Sequence, residues 1–170
     1  MRRRSPALWR NWMRRSISEA VASVIARICM TGPIFVDSNI LIYAHDLDAG
    51  AKQLRAAACL RELWDSGSGR MSTQVLQEFC VNVTCKISRP LSGAAARELV
   101  RNYACWVHFP ITPTTIIRAS EIGETWKLSF WDSMIVAAAE QTAATELLTE
   151  DLNHGQIVAG VRIRNPFVPD

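Results

Sequence analysis

The order of apolar and polar positions divides the chain into short extended runs and longer stretches with helical spacing. Ile34–Val36 is a β-branched and aromatic run that stops at Asp37. Ala51–Asp65 carries Leu54, Ala57, Leu60, Leu63 and Trp64 at helical spacing and meets a stop at Gly67-Ser68-Gly69. Arg70–Ser72 reads as a short strand, after which Thr73 is placed to cap a helix with Val75, Leu76, Phe79, Cys80 and Val83 on one face. Ser92–Ala104 reads as a helix, and Trp106–Phe109 as a strand ended by Pro110. Pro113–Trp126 is helical with Ile116, Ile117 and Ile122 expected to face inward. Phe130–Ala143 is apolar over most of its surface, as a buried helix should be. Glu146–Thr149 and Val161–Ile163 close the series as strands. Strands alternating with helices predict an α/β sandwich, helices on both sides of a mostly parallel sheet.

Charge changes this picture at one end. The seven arginines of residues 1–29 face a single acid, Glu19, whereas residues 30–170 hold 12 basic and 15 acidic side chains. The leader is therefore basic and the body mildly acidic, so a basic total cannot explain nucleic-acid binding by the body. An Arg-rich, acid-poor leader fits a targeting or anion-docking segment, or a translation start that truly lies at Met30. That divides the chain into a leader, residues 1–29, and one domain, residues 30–170. Five cysteines without a C-x-x-C pair argue against a disulfide framework or zinc knuckle and suit a reducing cytoplasm. They read as small buried hydrophobes. The longest unbroken apolar runs, Ile40–Ala44 and Met134–Ala139, are too short to span a membrane.

Ligands of an open parallel sheet bind at the carboxyl ends of its strands. Asp37 follows the first strand, and Asp151 follows the strand near Leu147–Thr149 with Glu150 beside it. Glu78 lies in the second turn of the helix after Arg70–Ser72, and Asp132 in the first turn of the buried helix. An oxygen-only set without His or Cys suits a hard cation, Mg²⁺ or Mn²⁺, rather than zinc. Each acid also has a structural explanation. Asp37, Ser38 and Asn39 are ordinary helix-start residues, Ser129–Asp132 fits a capping box, Glu78 fits a solvated face, and Asp151 fits a turn. His45 and His154 are candidates to orient substrate, although lone histidines more often pack or face water. Phe130, Trp126 and Trp131 are candidates to stack bases, with core packing as the default. Neither a phosphate-binding P-loop nor a dinucleotide-binding glycine motif is present.

Four segments then resemble one family in order. Phe35-Val36-Asp37-Ser38-Asn39-Ile40-Leu41-Ile42-Tyr43-Ala44 resembles the opening motif of PIN-domain ribonucleases, and Ser72-Thr73-Gln74-Val75-Leu76-Gln77-Glu78-Phe79 their second. Ser129–Ala139 resembles the third and Leu148-Thr149-Glu150-Asp151-Leu152-Asn153-His154-Gly155 the fourth. The likeness covers about residues 31–168, and the chain looks most like VapC-type toxins of toxin–antitoxin pairs. It implies a PIN-like α/β/α sandwich, Mg²⁺-dependent RNA cleavage leaving a 5′-phosphate and a 3′-hydroxyl, an antitoxin partner and often a homodimer. The acidic site it implies falls on Asp37, Glu78, Asp132 and Asp151, supported by Asn39 and Thr149; Glu150 is an extra acid not counted as a ligand. The family's usual start lies near Met30, so the leader departs from the pattern.

Four gathered carboxylates would repel one another until a divalent cation relieved the repulsion. That cation would align a water against the phosphorus and neutralise the leaving oxygen. Because the body is acidic, RNA would be held by a local basic patch, with Lys52, Arg55, Lys86 and Arg89 as candidates, or by a dimer. Two other classes compete. A phosphatase with Asp37 as nucleophile lacks the partner acid two residues on, where Asn39 stands. A non-catalytic PIN-like module that binds RNA or protein would not need the intact acidic set.

Overall fold

A computed structural model describes residues 32–168. The basic leader and the start at Met30 lie outside the described residues. The described chain runs β1 (Ile34–Val36), α1 (Ser38–His45), α2 (Ala51–Ser66), β2 (Gly69–Arg70), α3 (Thr73–Cys85) and α4 (Gly93–Tyr103). After a 3₁₀ turn at Ala104–Trp106 come α5 (Pro113–Trp126), α6 (Phe130–Gln141), β3 (Glu146–Leu148), β4 (Ile157–Val158) and β5 (Val161–Arg164). The five strands form one sheet in the order β2-β1-β3-β5-β4. All neighbours pair in parallel except β4 with β5. This is the α/β sandwich with a mostly parallel sheet that the alternation predicts.

The strands are short because polar chemistry interrupts them. Val36 is followed by Asp37, whose side chain accepts from the Ser38 amide and starts α1. Ser72 does the same for α3 by accepting from the Val75 amide, so the cap is Ser72 rather than Thr73 and β2 stops before it. Inside, Phe35, Val36, Leu147, Leu148 and Ile163 of the strands are wholly buried with Ile40, Leu41, Val75, Phe79 and Val136 of the helices. An aromatic group made of Trp64, Phe79, Tyr103 and Trp106 closes one side, in edge or tilted contacts at 5.6–6.3 Å. Gly69 fits because a Cβ there would stand 2.6 Å from the Trp106 ring.

Several expectations fail for identifiable reasons. Trp106–Phe109 forms no strand: Val107 makes one isolated parallel bridge to Met71, β2 has ended, and Pro110 has no N–H to continue a ladder. Ile116 and Ile117 are exposed, not inward, with Ile117 at 62%. The buried stripe of α5 is instead Thr115, Ala119 and Ile122, and Gly123 packs closely on Ser133 of α6. Leu54 is likewise exposed, because α2 buries Ala56, Cys59, Leu60 and Leu63. Phe130, Trp131 and Trp126 are exposed rather than packed in the core. Of the described cysteines only Cys59 is buried; Cys80 is half-buried and Cys85 and Cys105 are exposed. No described helix is long and apolar enough to cross a membrane.

The hairpin of β4 and β5 was not readable from alternation. Its turn is Ala159-Gly160, with φ of 48° and 82°. Two consecutive positive φ values define the type I′ geometry that favours Asn-Gly. Ala159→Asn is therefore expected to stabilise the fold by roughly 0.5–1 kcal/mol. The check is a higher urea midpoint with an unchanged slope; an unchanged or lower midpoint refutes it.

Candidate active site

The sheet order places β1 between the strand that follows it, β2, and the later β3. The chain therefore reverses direction across the sheet at β1, which creates a crevice at the strands' carboxyl edge. Asp37 and the segment 149–151 leave the sheet there, after β1 and β3. Pairing of Val36 with Leu148 sets them side by side, and the Asp37 amide donates to the Leu148 carbonyl at 3.0 Å.

The side chains knit this junction together. Thr149 Oγ1 donates to Asp37 Oδ2 at 2.7 Å. Asn39 Nδ2 lies within hydrogen-bond reach of Asp37 Oδ2 (3.0 Å), Thr149 Oγ1 (3.1 Å) and Asp151 Oδ2 (2.9 Å). The Asp151 amide donates back to Thr149 Oγ1 at 3.1 Å. Glu78 joins from α3: Ser38 Oγ donates to one of its oxygens at 2.7 Å and Gln74 Nε2 to the other at 3.0 Å. Ser38 reads from the sequence only as a helix-start residue, and Gln74 carries no motif of its own. The second had a signal, since Gln74 stands one helical turn before Glu78.

Asp37 is the electrostatic centre. It is 7% exposed, and burial first, then the like charges of Asp151 and Glu78, push its carboxyl up to about 6, against the pull of the Thr149 and Ser38 hydrogen bonds. None of Asp37, Glu78, Asp132 and Asp151 forms an ion pair with a described residue, whereas Glu150, directly before Asp151, is paired with Lys52 and accepts from the Tyr43 hydroxyl. Glu150 is thus engaged outside the cluster.

Asp132 stands apart from this network. Its described partners belong to the α6 cap: Ser129 Oγ donates to its carboxylate at 2.6 Å, and its amide donates to Ser129 Oγ at 3.2 Å. Half of the expected capping box is therefore present: Ser129 caps the helix, but the Asp132 carboxylate accepts from the Ser129 hydroxyl and not from its backbone N–H. Topology nonetheless puts Asp132 on the correct side. Helix α6 is about 18 Å long, and a short link from its C-terminus leads into the start of β3, so its first turn lies toward the carboxyl edge. Among the described residues, no three His, Cys, Asp or Glu side chains are already spaced to hold a metal ion.

The donor chemistry still fits a hard cation. Among the described residues, all four acids lack a counter-charge, and Asn39 Oδ1 is a buried acceptor without a hydrogen-bond partner beside two of them. Other candidates fall elsewhere. His45 is buried against Tyr103, with Nε2 at 3.0 Å from the hydroxyl, and His154 accepts from the Asn165 amide. Of the candidate basic patch, Lys52 pairs with Glu150, Arg89 with Asp48, and Arg55 Nε donates to the Pro166 carbonyl.

An open, mostly parallel α/β sheet with an acidic crevice at its switch point defines the class of protein. The chain belongs to the PIN-domain family, whose model matches residues 34–159. Among solved structures it is similar to a toxin-antitoxin complex from Klebsiella pneumoniae, at 22% identity and a TM-score of 0.58 over 80% of this chain and 98% of that one. No curated protein matches the chain.

Two buried groups titrate in opposite senses. Asp37 binds its proton more tightly folded, at about 6, than an exposed aspartate does, so its stabilising contribution is present at low pH and lost as pH rises through 6. Burial lowers His45 to about 4, so its contribution is present above the ordinary 6.5 and lost as pH falls toward 4. Asp37→Asn removes the charge and keeps one oxygen for the cap, but turns an NH2 group toward the Thr149 and Asn39 donors. Its unfolding free energy relative to the parent, without divalent cations, is therefore expected to rise between about pH 4 and pH 7 by up to about 3 kcal/mol. Urea titrations across that range test this; a difference that does not change with pH contradicts it.

Proposed function

We propose that the protein is a divalent-metal-dependent ribonuclease, the toxin of a toxin–antitoxin pair. The observation that carries this reading is the buried, uncompensated Asp37 carboxylate, gathered with Asp151 and Glu78 at the switch point of a PIN-domain sheet.

Asp37, Glu78, Asp132 and Asp151 would hold Mg²⁺ or Mn²⁺, with Asn39 and Thr149 supporting them. When bound, the cation supplies Lewis acidity for phosphodiester hydrolysis, activating water and offsetting charge at the leaving oxygen. The protein's own residues do the rest. Thr149 and Asn39 fix the rotamer of Asp37 by donating to the same carboxylate oxygen. Asn39 also donates toward Asp151, which ties the first and last acidic segments together. Ser38 and Gln74 hold Glu78 by one hydrogen bond to each oxygen. Ser129 donates to one carboxylate oxygen of Asp132, and the other oxygen would be the one available to the cation. Likeness to the toxin-antitoxin complex supports a protein antitoxin as partner, and the family resemblance supports a homodimer.

One observation favours a second reading, a non-catalytic module that binds RNA or protein: Asp132 is occupied in its helix cap. The two readings separate cleanly. Purified protein is expected to cleave single-stranded RNA with Mg²⁺ and to stop with chelator. Asp37→Asn and Asp132→Asn should each lower the rate by roughly a hundred-fold or more while retaining the native circular dichroism. Mg²⁺ should also raise the melting temperature of the unaltered chain and leave that of Asp37→Asn unchanged. Cleavage that survives chelation, or persists in Asp37→Asn, rules the proposal out.

A further inference from the structure

The segment that carries Asp132 also carries an exposed aromatic surface that neither the core nor the acidic network uses. Trp131 is 64% exposed and Phe130 46%, although α6 behind them is buried from Ser133 to Ala139. Their rings meet edge to face, 5.3 Å between centroids and 74° between planes. Such a pair fixes the orientation of both rings yet leaves aromatic faces open to solvent. Trp126, at the end of α5, is also exposed. Between the helices Lys127 sits in a left-handed conformation, φ 57°, exposed and without an ion pair to any described residue.

We infer that Phe130 and Trp131 form a stacking platform for an unpaired base of single-stranded RNA, with Lys127 against the neighbouring phosphate. This rests on the ribonuclease reading and adds to it a substrate-positioning surface. Three observations select a nucleic acid as occupant. Trp131 directly precedes Asp132 in the first turn of α6, which lies toward the carboxyl edge, so a base stacked there keeps its backbone on the same side of the sheet as the acidic network. Lys127, next to Trp126 and three residues before Phe130, adds an exposed positive charge to the same connection, and aromatic rings with basic side chains are the combination that single-strand binding surfaces use. Residues 30–170 carry more acidic than basic side chains, and Lys52 and Arg89 are already paired. Charge attraction over the whole body is therefore weak, and contact with bases must supply what phosphate contacts do not.

The test uses the full chain carrying Asp37→Asn, so that RNA is not consumed, and a short fluorescein-labelled single-stranded RNA read by anisotropy. Adding Trp131→Ala is expected to weaken binding by roughly five- to a hundred-fold, with the dependence of log affinity on log salt unchanged. Trp131→Phe should recover most of the loss, because a ring face is what matters. Lys127→Ala should lower the salt slope by about one. A duplex of the same sequence should bind no more weakly to Trp131→Ala than to its parent. The inference is overturned if Trp131→Ala binds the single strand as its parent does, and the ribonuclease reading then still stands. It is also overturned if Trp131→Ala leaves RNA binding intact but releases a protein antitoxin, which would make this face a protein-docking surface. If the unaltered chain neither binds nor cleaves the RNA with Mg²⁺, the ribonuclease reading itself has failed.

Discussion

The arrangement at the crevice turns on one carboxylate kept out of water without a positive partner among the described residues. Burying an ionised Asp is unfavourable unless hydrogen bonds or a counter-charge compensate. Asp37 has only the first kind of compensation: the Ser38 amide, Thr149 and Asn39. Those donors come from the cap of α1, from α1 itself and from the end of β3, so the site exists only when β1 and β3 are paired in register. A slip of one residue would turn Thr149 away from Asp37, because successive strand side chains face opposite sides. The link between sheet register and acidic site is therefore direct.

The neighbouring residues show what the alternative would look like. Glu150 is neutralised by Lys52, with the Lys52 ammonium also 4.6 Å above the Tyr43 ring. That clasp anchors the turn on which Thr149 and Asp151 sit, and it uses an acid one position away from the cluster. Within a few residues, then, the same turn carries an acid that is paired and one that is not. A fold selected for stability alone would have little reason to leave the second type at the sheet's switch point.

The sequence made the α/β class, most element centres and the grouping of Asp37 with Asp151 legible, because these follow from alternation and from which residues end the strands. Hydrophobicity did not reveal which way each helix is rolled. Ile116 and Ile117 are as apolar as Ile122, but Thr115 and Ala119 occupy the inward face, since α5 approaches α6 closely at Gly123 and Ser133 and admits only small groups there. The same reasoning explains Phe130 and Trp131. Aromatic character suggests burial, yet the first turn of α6 projects past the packed region, and only the coordinates disclose this. The hairpin at Ala159-Gly160 escaped notice because Ala is a poor marker for a left-handed turn. Convergence of the acids was legible in part: alternation and family motif agreed on four positions, but no pattern discloses that Asp132 is held by Ser129.

How the crevice tolerates so much negative charge without a paired Lys or Arg among the described residues follows from the helix directions. Helices α1, α3 and α6 all begin at or near the carboxyl edge, after Asp37, Ser72 and Ser129. The unsatisfied amides of a helix start carry partial positive charge, which favours acids placed close to them. The Asp37 carboxylate accepts from the Ser38 amide at the start of α1, and Asp132 lies in the first turn of α6, where the helix dipole favours its charge. Helix amides differ from an arginine in one decisive respect: they cannot swing over to form a bidentate pair that occupies both carboxylate oxygens. Support of this kind steadies the acids while leaving oxygen lone pairs free for something from solution. Basic side chains would have made the crevice chemically closed; helix starts keep it open and leave Asp37 a carboxyl whose burial raises its pKa to about 6.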